Sequence, residues 1–248
     1  MRRSIIFIAL LALAIGSTAV SASDIPNRPE ELTYPELTFD VPDADSLRFE
    51  LADGTPVYAK KDSQFPLINI TVSFRGGRYL EPEGKAGLAA IAGDAWRSGG
   101  AGERSAQELD EELSFLAANL STNIGDVTGS VSLNVLSKDL DQAMAIFMDV
   151  LTNPNFQEDR FIKTKDNMLQ AMKQRNDDTA DIEDREWQRL IFGDDYWMNN
   201  LATQASVDAV TAADAKDFVG SLIRSGNLVV SVAGDFQPAE IEALLYKT

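Results

Sequence analysis

Ile68-Asn69-Ile70-Thr71-Val72-Ser73-Phe74, followed by Gly84-Lys85-Ala86-Gly87-Leu88-Ala89-Ala90-Ile91-Ala92-Gly93-Asp94-Ala95-Trp96-Arg97-Ser98-Gly99-Gly100, decides the fold class. In the first segment apolar and polar residues alternate with the two-residue period of a strand that buries one face. In the second, Leu88, Ile91, Ala92, Ala95 and Trp96 recur at helical spacing, and the paired Gly99-Gly100 supplies a stop. A half-buried strand beside a buried helix implies a sheet with a helix lying on it.

On the N-terminal side, Ser46 to Leu51 and Val57 to Lys60 flank Asp53-Gly54, a dipeptide that favours the positive backbone angles of a tight turn, so a first hairpin is predicted there. From Ser23 to about Val41 the chain is rich in Pro26, Pro29, Pro35, Glu30, Glu31 and Glu36 and shows no sustained period. Residues 23–45 therefore read as an extended lead-in. Before them, Arg2 and Arg3 precede an apolar run from Ile5 to Ile15 and a small-residue stretch ending Val20-Ser21-Ala22. That is the pattern of a secretory signal peptide over residues 1–22, too short to span a bilayer core of about 30 Å as a permanent anchor. Cleavage leaves a mature protein expected to be free of the membrane and secreted, into the bacterial periplasm. A membrane-anchor reading of the same run is the alternative.

On the C-terminal side, Ser105-Ala106-Gln107-Glu108 is a capping box that opens a helix to about Ala118. Val127, Gly129, Val131, Leu133 and Val135 alternate as a strand. Ser137 then stands where it can cap a helix carrying Leu140, Ala143, Met144, Phe147 and Leu151, which Asn153-Pro154 ends. A longer helix is predicted over Glu158 to Arg175, with Phe161, Met168, Leu169 and Met172 inward. Thr211-Ala212-Ala213-Asp214 caps another, containing Phe218 and Leu222, and Leu228 to Ala233 forms a last strand. Strands first, then helices with intervening strands, give an α+β domain over residues 46–248, with a mainly antiparallel sheet and helices packed on one face.

Composition narrows the function classes. The formal net charge is −17, and −19 once Arg2 and Arg3 are removed; such a surface repels phosphate backbones, so nucleic acid is not an expected partner. The chain contains no cysteine and no histidine. No disulfide can staple the fold, so a hydrophobic core must hold it, and Ser-His-Asp and Cys-His nucleophile systems are excluded. The acidic run Asp177, Asp178, Asp181, Glu183, Asp184 and Glu186 lacks the spacing of an EF-hand loop and reads as a solvated helix end and loop. Trp187, Tyr196 and Trp197 read as packing of a helix and its following loop against the core, with an aromatic ligand platform as the alternative.

Several motifs recur in one order. They are Asp53-Gly54, Arg75-Gly76-Gly77-Arg78 leading to Glu81, Gly87-Leu88-Ala89, Ser98-Gly99-Gly100, Ser137-Lys138-Asp139-Leu140, Asn153-Pro154 and Val232-Ala233-Gly234-Asp235. In this order and spacing, from about Leu51 to the end, the chain resembles the pitrilysin and insulinase family of zinc metallopeptidases. The resemblance implies the fold of the mitochondrial processing peptidase-like metallohydrolase domain. In catalytic members the Gly-Leu-Ala helix carries H-x-x-E-H, and a later helix supplies a glutamate ligand. Two histidines at i and i+4 share one helix face, and the glutamate beside them takes a proton from metal-bound water.

Laid on this chain, the resemblance puts the first histidine slot at Ala90, the glutamate at Gly93, the second histidine at Asp94 and the downstream ligand near Ala171. The catalytic and metal residues are thus expected to be absent, with no zinc or other cofactor bound and Asp94 paired to Arg97 one turn on. A degenerate member of this kind implies a noncatalytic subunit, whose partner is a catalytic zinc-peptidase subunit and whose ligand is an extended peptide. In this family the strand after the capping-box helix is an exposed edge. Here that strand is about Leu120 to Ile124, so Leu120, Ser121, Thr122 and Asn123 are the expected substrate-binding residues, with Ser121 and Thr122 as edge donors. Family subunits usually hold two such domains, so the chain reads as one domain, with truncation before a second as an expectation. A zinc endopeptidase with an atypical metal site and a stand-alone binding or scaffold domain remain the alternatives.

Overall fold

The computed structural model describes residues 43–247 continuously, together with positions 28, 30, 32, 34 and 38. The expected signal peptide lies outside the described residues, as does most of the lead-in. The chain divides between Pro42 and Asp43 into two units. In the first, the described Arg28, Glu30, Leu32, Tyr34 and Thr38 are all exposed; the second holds the sheet and its helices. Among the described residues no helix is long and apolar enough to cross a membrane.

Six strands, β1 (Arg48–Glu50), β2 (Pro56–Lys61), β3 (Leu67–Arg75), β4 (Asn119–Ile124), β5 (Thr128–Leu136) and β6 (Leu228–Gly234), form one sheet in the order β1-β2-β6-β3-β5-β4. Every neighbouring pair is antiparallel except β2 and β6, which run parallel. The expected hairpin forms with Arg48 opposite Tyr58, and Gly54 takes φ 82° in its turn. No periodicity could foresee that β6 inserts between β2 and β3, because strand order is a long-range property.

The alternation in β3 separates two faces. Ile68, Ile70 and Val72 lie opposite Val135, Leu133 and Val131 of β5, all buried; each such side chain contributes roughly 1.5–3 kcal/mol of burial. Asn69, Thr71 and Ser73 lie opposite Asn134, Ser132 and Ser130 on the other face, where the Thr71 and Ser132 hydroxyls share a hydrogen bond of 3.1 Å. Among the described residues, helices cover the apolar face. Helix α1 (Leu88–Ser98) buries Leu88, Ile91, Ala92, Ala95 and Trp96, and α2 (Ala106–Phe115) begins with the predicted capping box of Ser105 and Glu108. They are followed by α3 (Leu140–Thr152), α4 (Glu158–Gln174), α5 (Thr179–Phe192), α6 (Gln204–Ala209), α7 (Ala212–Leu222) and α8 (Pro238–Lys247). The Trp96 indole N–H donates to the Val150 carbonyl at 2.6 Å, satisfying one of the carbonyls that the last turn of α3 leaves without an intrahelical partner.

Three local expectations fail for physical reasons. Ser137 does not cap α3: a 3-10 turn over Ser137–Asp139 precedes it, and the buried Ser137 hydroxyl has no partner among the described residues. The acidic run is solvated as expected, but it is not a helix end and loop: Asp181, Glu183, Asp184 and Glu186 lie inside a helix, α5, whose N-cap Asp178 accepts from the Ala180 amide at 2.8 Å. It buries none of its residues, so the burial signal that marks a helix in sequence was weak there. Trp187 on that helix stays 53% exposed instead of packing on the core, while Tyr79 and Trp197 meet edge to face.

Candidate functional site

Strand β4 closes one side of the sheet and, among the described residues, pairs only with β5. The Gly125 amide donates to the Thr128 carbonyl at 2.9 Å, which fixes the phase of the ladder, because opposite residues in an antiparallel pair alternate between bonded and non-bonded. In that phase Asn119, Ser121 and Asn123 turn their main-chain groups to Asn134, Ser132 and Ser130, whereas Leu120, Thr122 and Ile124 turn theirs to the open edge. Side chains alternate too. Leu120 and Ile124 are buried toward α1 with Thr122 half-buried beside them, and Ser121 and Asn123 are exposed on the polar face. The four residues expected to bind a peptide thus divide. Thr122 is an edge donor; Ser121 is not, since its amide belongs to the β5 ladder.

Beneath β4 runs α1. The Thr122 hydroxyl donates to the Gly93 carbonyl at 2.8 Å, and a Cβ placed on Gly93 would stand 2.9 Å from the Ile124 nitrogen. Helix and edge strand therefore touch through a position that only glycine fits without movement. Ala90 and Asp94 flank it on the exposed stripe of α1. Asp94 does not pair with Arg97: the Arg97 guanidinium lies 2.6 Å from the Asp110 carboxylate of α2, because the last turn of α1 faces α2. Among the described residues Asp94 has no ion pair or side-chain hydrogen bond, and loss of water around its base raises its pKa above the ordinary value. Ala171 is exposed on α4, a helix that meets α1 where the Met168 methyl comes 2.7 Å from the position of a Cβ on Gly87. The donor set of Ala90, Gly93, Asp94 and Ala171 is one carboxylate. Zinc held by protein takes three or four ligands, so these residues do not fit the metal, and among the described residues no group of three or more potential ligands exists elsewhere.

The start of α1 is built by residues whose role the sequence did not disclose. Gly87 takes φ 101°, and in place of a side-chain N-cap the Glu81 carboxylate accepts from the Gly87 amide at 3.1 Å and the Ala89 amide at 2.8 Å. Burial raises the pKa of Glu81, and the two amides oppose that shift. The Arg78 guanidinium donates to the Met198 carbonyl at 2.5 Å and lies 3.5 Å from the Asp126 carboxylate. A glycine before an apolar helix with no Ser, Thr, Asp or Asn in the cap position is the one sequence signal of such a remote cap.

A profile of the family described as Insulinase (Peptidase family M16) matches residues 57–191. The non-peptidase homologue YmxG of Helicobacter pylori is 25% identical over 183 residues, which cover 73% of this chain and 42% of that protein. An uncharacterised zinc protease of Rickettsia bellii is 24% identical over 67% of this chain and 40% of its own length. The chain thus spans about two fifths of the length of the curated relatives it matches. Among solved structures, the peptidase M16 inactive domain from Pseudomonas fluorescens superposes with a TM-score of 0.73 at 19% identity, over 81% of this chain and 49% of that one. The periplasmic protease PqqL of Escherichia coli gives 0.69 at 17% identity, over 87% and 25%. The solved structures share the fold, and the profile covers more than half of the residues, so this chain belongs to the insulinase family, peptidase family M16.

Proposed function

We propose that this chain is a noncatalytic, peptide-holding member of its family, exported to the periplasm, that works beside a zinc-bearing chain which does the cutting. The observation that carries this reading is the pairing of an intact open edge with an emptied helix: β4 keeps Thr122 facing outward, while Ala90, Gly93 and Asp94 beneath it offer one carboxylate in a chain without histidine. Main-chain groups on an edge bind an extended peptide by adding it as a strand, with little regard for its sequence, and this capacity does not need a metal. The relatives support the reading, one being a non-peptidase homologue and one an inactive domain.

The test uses the purified mature protein, dialysed against micromolar zinc. Elemental mass spectrometry is expected to find well under one zinc per chain, and unstructured peptides are expected to stay intact until a zinc-bearing H-x-x-E-H chain of the same family is added. One tightly held zinc, or chelator-sensitive cleavage that follows this chain alone through purification, overturns the reading.

A further inference from the structure

The polar face of the sheet changes character toward its Arg75 end. Along the β3–β5 ladder the Asn134 side-chain amide donates to Asn69 at 2.7 Å, and the Thr71 and Ser132 hydroxyls share a bond of 3.1 Å. The next pair, Ser73 and Ser130, stands directly opposite in the same ladder, yet neither hydroxyl has a partner among the described residues. The same holds for the side chains of Arg75, of Thr128 opposite it, and of Asn123, which lies beside Ser130 on β4. All of these side chains line one cavity of about 580 Å³, within the usual range of small-molecule sites. Where the neighbouring pairs satisfy each other, this end of the face keeps its hydrogen-bonding groups for a ligand.

Charge narrows the ligand. Among the described residues that line the cavity, Arg75 alone is charged. Across β2, β6, β3, β5 and β4 the polar face carries Lys60 and Arg75 and no carboxylate, although the chain has 39 acidic residues against 22 basic. A guanidinium presents parallel N–H donors that match a carboxylate, and one cation balances one negative charge. A dianion such as phosphate would keep an uncompensated charge near a protein of net charge −17. The Ser73, Thr128 and Ser130 hydroxyls and the Asn123 amide both donate and accept, the complement of ligand hydroxyls. Val229 lies opposite Ser73 on β6 and gives the cavity an apolar wall, on which the C–H face of a sugar ring can rest. Asn227 donates to the Arg75 carbonyl at 2.7 Å, which holds the end of β3 in place. We propose that this cavity binds a small hydroxylated monocarboxylate of the sugar-acid class. It lies on the face of the sheet opposite α1 and does not depend on the open main-chain edge of β4.

The test is isothermal titration calorimetry of the mature protein with D-glucuronate, D-galacturonate and D-gluconate, with D-glucose, acetate and inorganic phosphate for comparison. At least one sugar acid is expected to bind with a Kd below roughly 1 mM, about tenfold or more tighter than glucose, acetate or phosphate. Arg75→Gln is expected to bring that sugar acid down to the level of glucose, and Ser73→Ala combined with Ser130→Ala to weaken it about tenfold. Lys60→Gln removes the other cation of the face, at its far end, and is expected to leave the affinity unchanged. Circular dichroism checks that each variant keeps its fold. Failure of all three sugar acids to bind below roughly 1 mM overturns the site, as does unchanged affinity in Arg75→Gln or in the double serine variant. Phosphate binding tighter than every sugar acid overturns the carboxylate assignment. Equal losses in Arg75→Gln and Lys60→Gln overturn the cavity in favour of a general attraction of anions to the face.

Discussion

The Thr122 hydroxyl donates to the Gly93 carbonyl at 2.8 Å, tying the edge strand β4 to helix α1. Gly93 is where the contact is tightest, since any Cβ there would press on the Ile124 nitrogen at 2.9 Å. Gly93→Ala would ordinarily stabilise a helix by about 1 kcal/mol. Here overpacking is expected to win, with a net loss of about 1–3 kcal/mol. Urea denaturation measures it, and an unchanged or higher midpoint would show that β4 can yield. The same contact predicts the outcome of restoring a zinc site. Ala90→His, Asp94→His and Ala171→Glu together are expected to take up zinc more readily than the set that also includes Gly93→Glu, read by elemental analysis of the folded protein.

Proline separates the two kinds of residue in β4. Ser121→Pro removes a ladder bond to Ser132 and is expected to cost about 2–4 kcal/mol, visible as a lower urea midpoint. Thr122→Pro removes an outward donor and the hydroxyl contact with Gly93, costing about 1 kcal/mol of stability while weakening peptide binding tenfold or more. Thr122→Val loses the hydroxyl but keeps the amide, so it should share the stability loss and retain peptide affinity. Equal stability losses for the two prolines would refute the assigned ladder phase.

Asp214 joins the capping box of α7 to Lys85, which precedes α1. Hydrogen bonding to Lys85 is the main cause that lowers its pKa from 3.8 to about 2. A depressed carboxylate contributes stability that is complete above its unfolded value and is lost as pH falls through the folded one. Asp214→Asn is therefore expected to be less stable than the native protein by on the order of 1 kcal/mol above pH ~4, after screening of a partly exposed pair. The gap should close between pH ~4 and ~2. A gap that persists undiminished at pH ~2 would assign the effect to capping alone.

Trp96 is fully buried, with its ring 6.0 Å from that of Phe74 and its N–H on Val150. Trp96→Phe leaves both a void and an unpaired carbonyl at the end of α3, and is expected to cost about 2–4 kcal/mol in urea denaturation. A loss below about 1 kcal/mol would mean that water or a shifted helix end replaces the bond.

Local rules acting over a few residues made much of this protein legible from its sequence. The alternation in Ile68–Phe74, the helical spacing from Leu88 to Trp96, the capping boxes at Ser105 and Thr211 and the turn at Asp53-Gly54 each express a backbone preference or a burial period contained in one segment, so the α+β class followed from them. The lack of histidine and cysteine was equally visible, because a side chain that the sequence does not contain needs no fold to be absent. Tertiary structure alone decided the rest. The parallel pairing of β6 with β2, the turn of Arg97 to Asp110 instead of Asp94, the remote cap from Glu81 and the division of β4 into inward Ser121 and outward Thr122 all depend on segments far apart in the chain. Their partners are chosen by the packing of whole elements, and neighbours along the sequence carry no record of that choice.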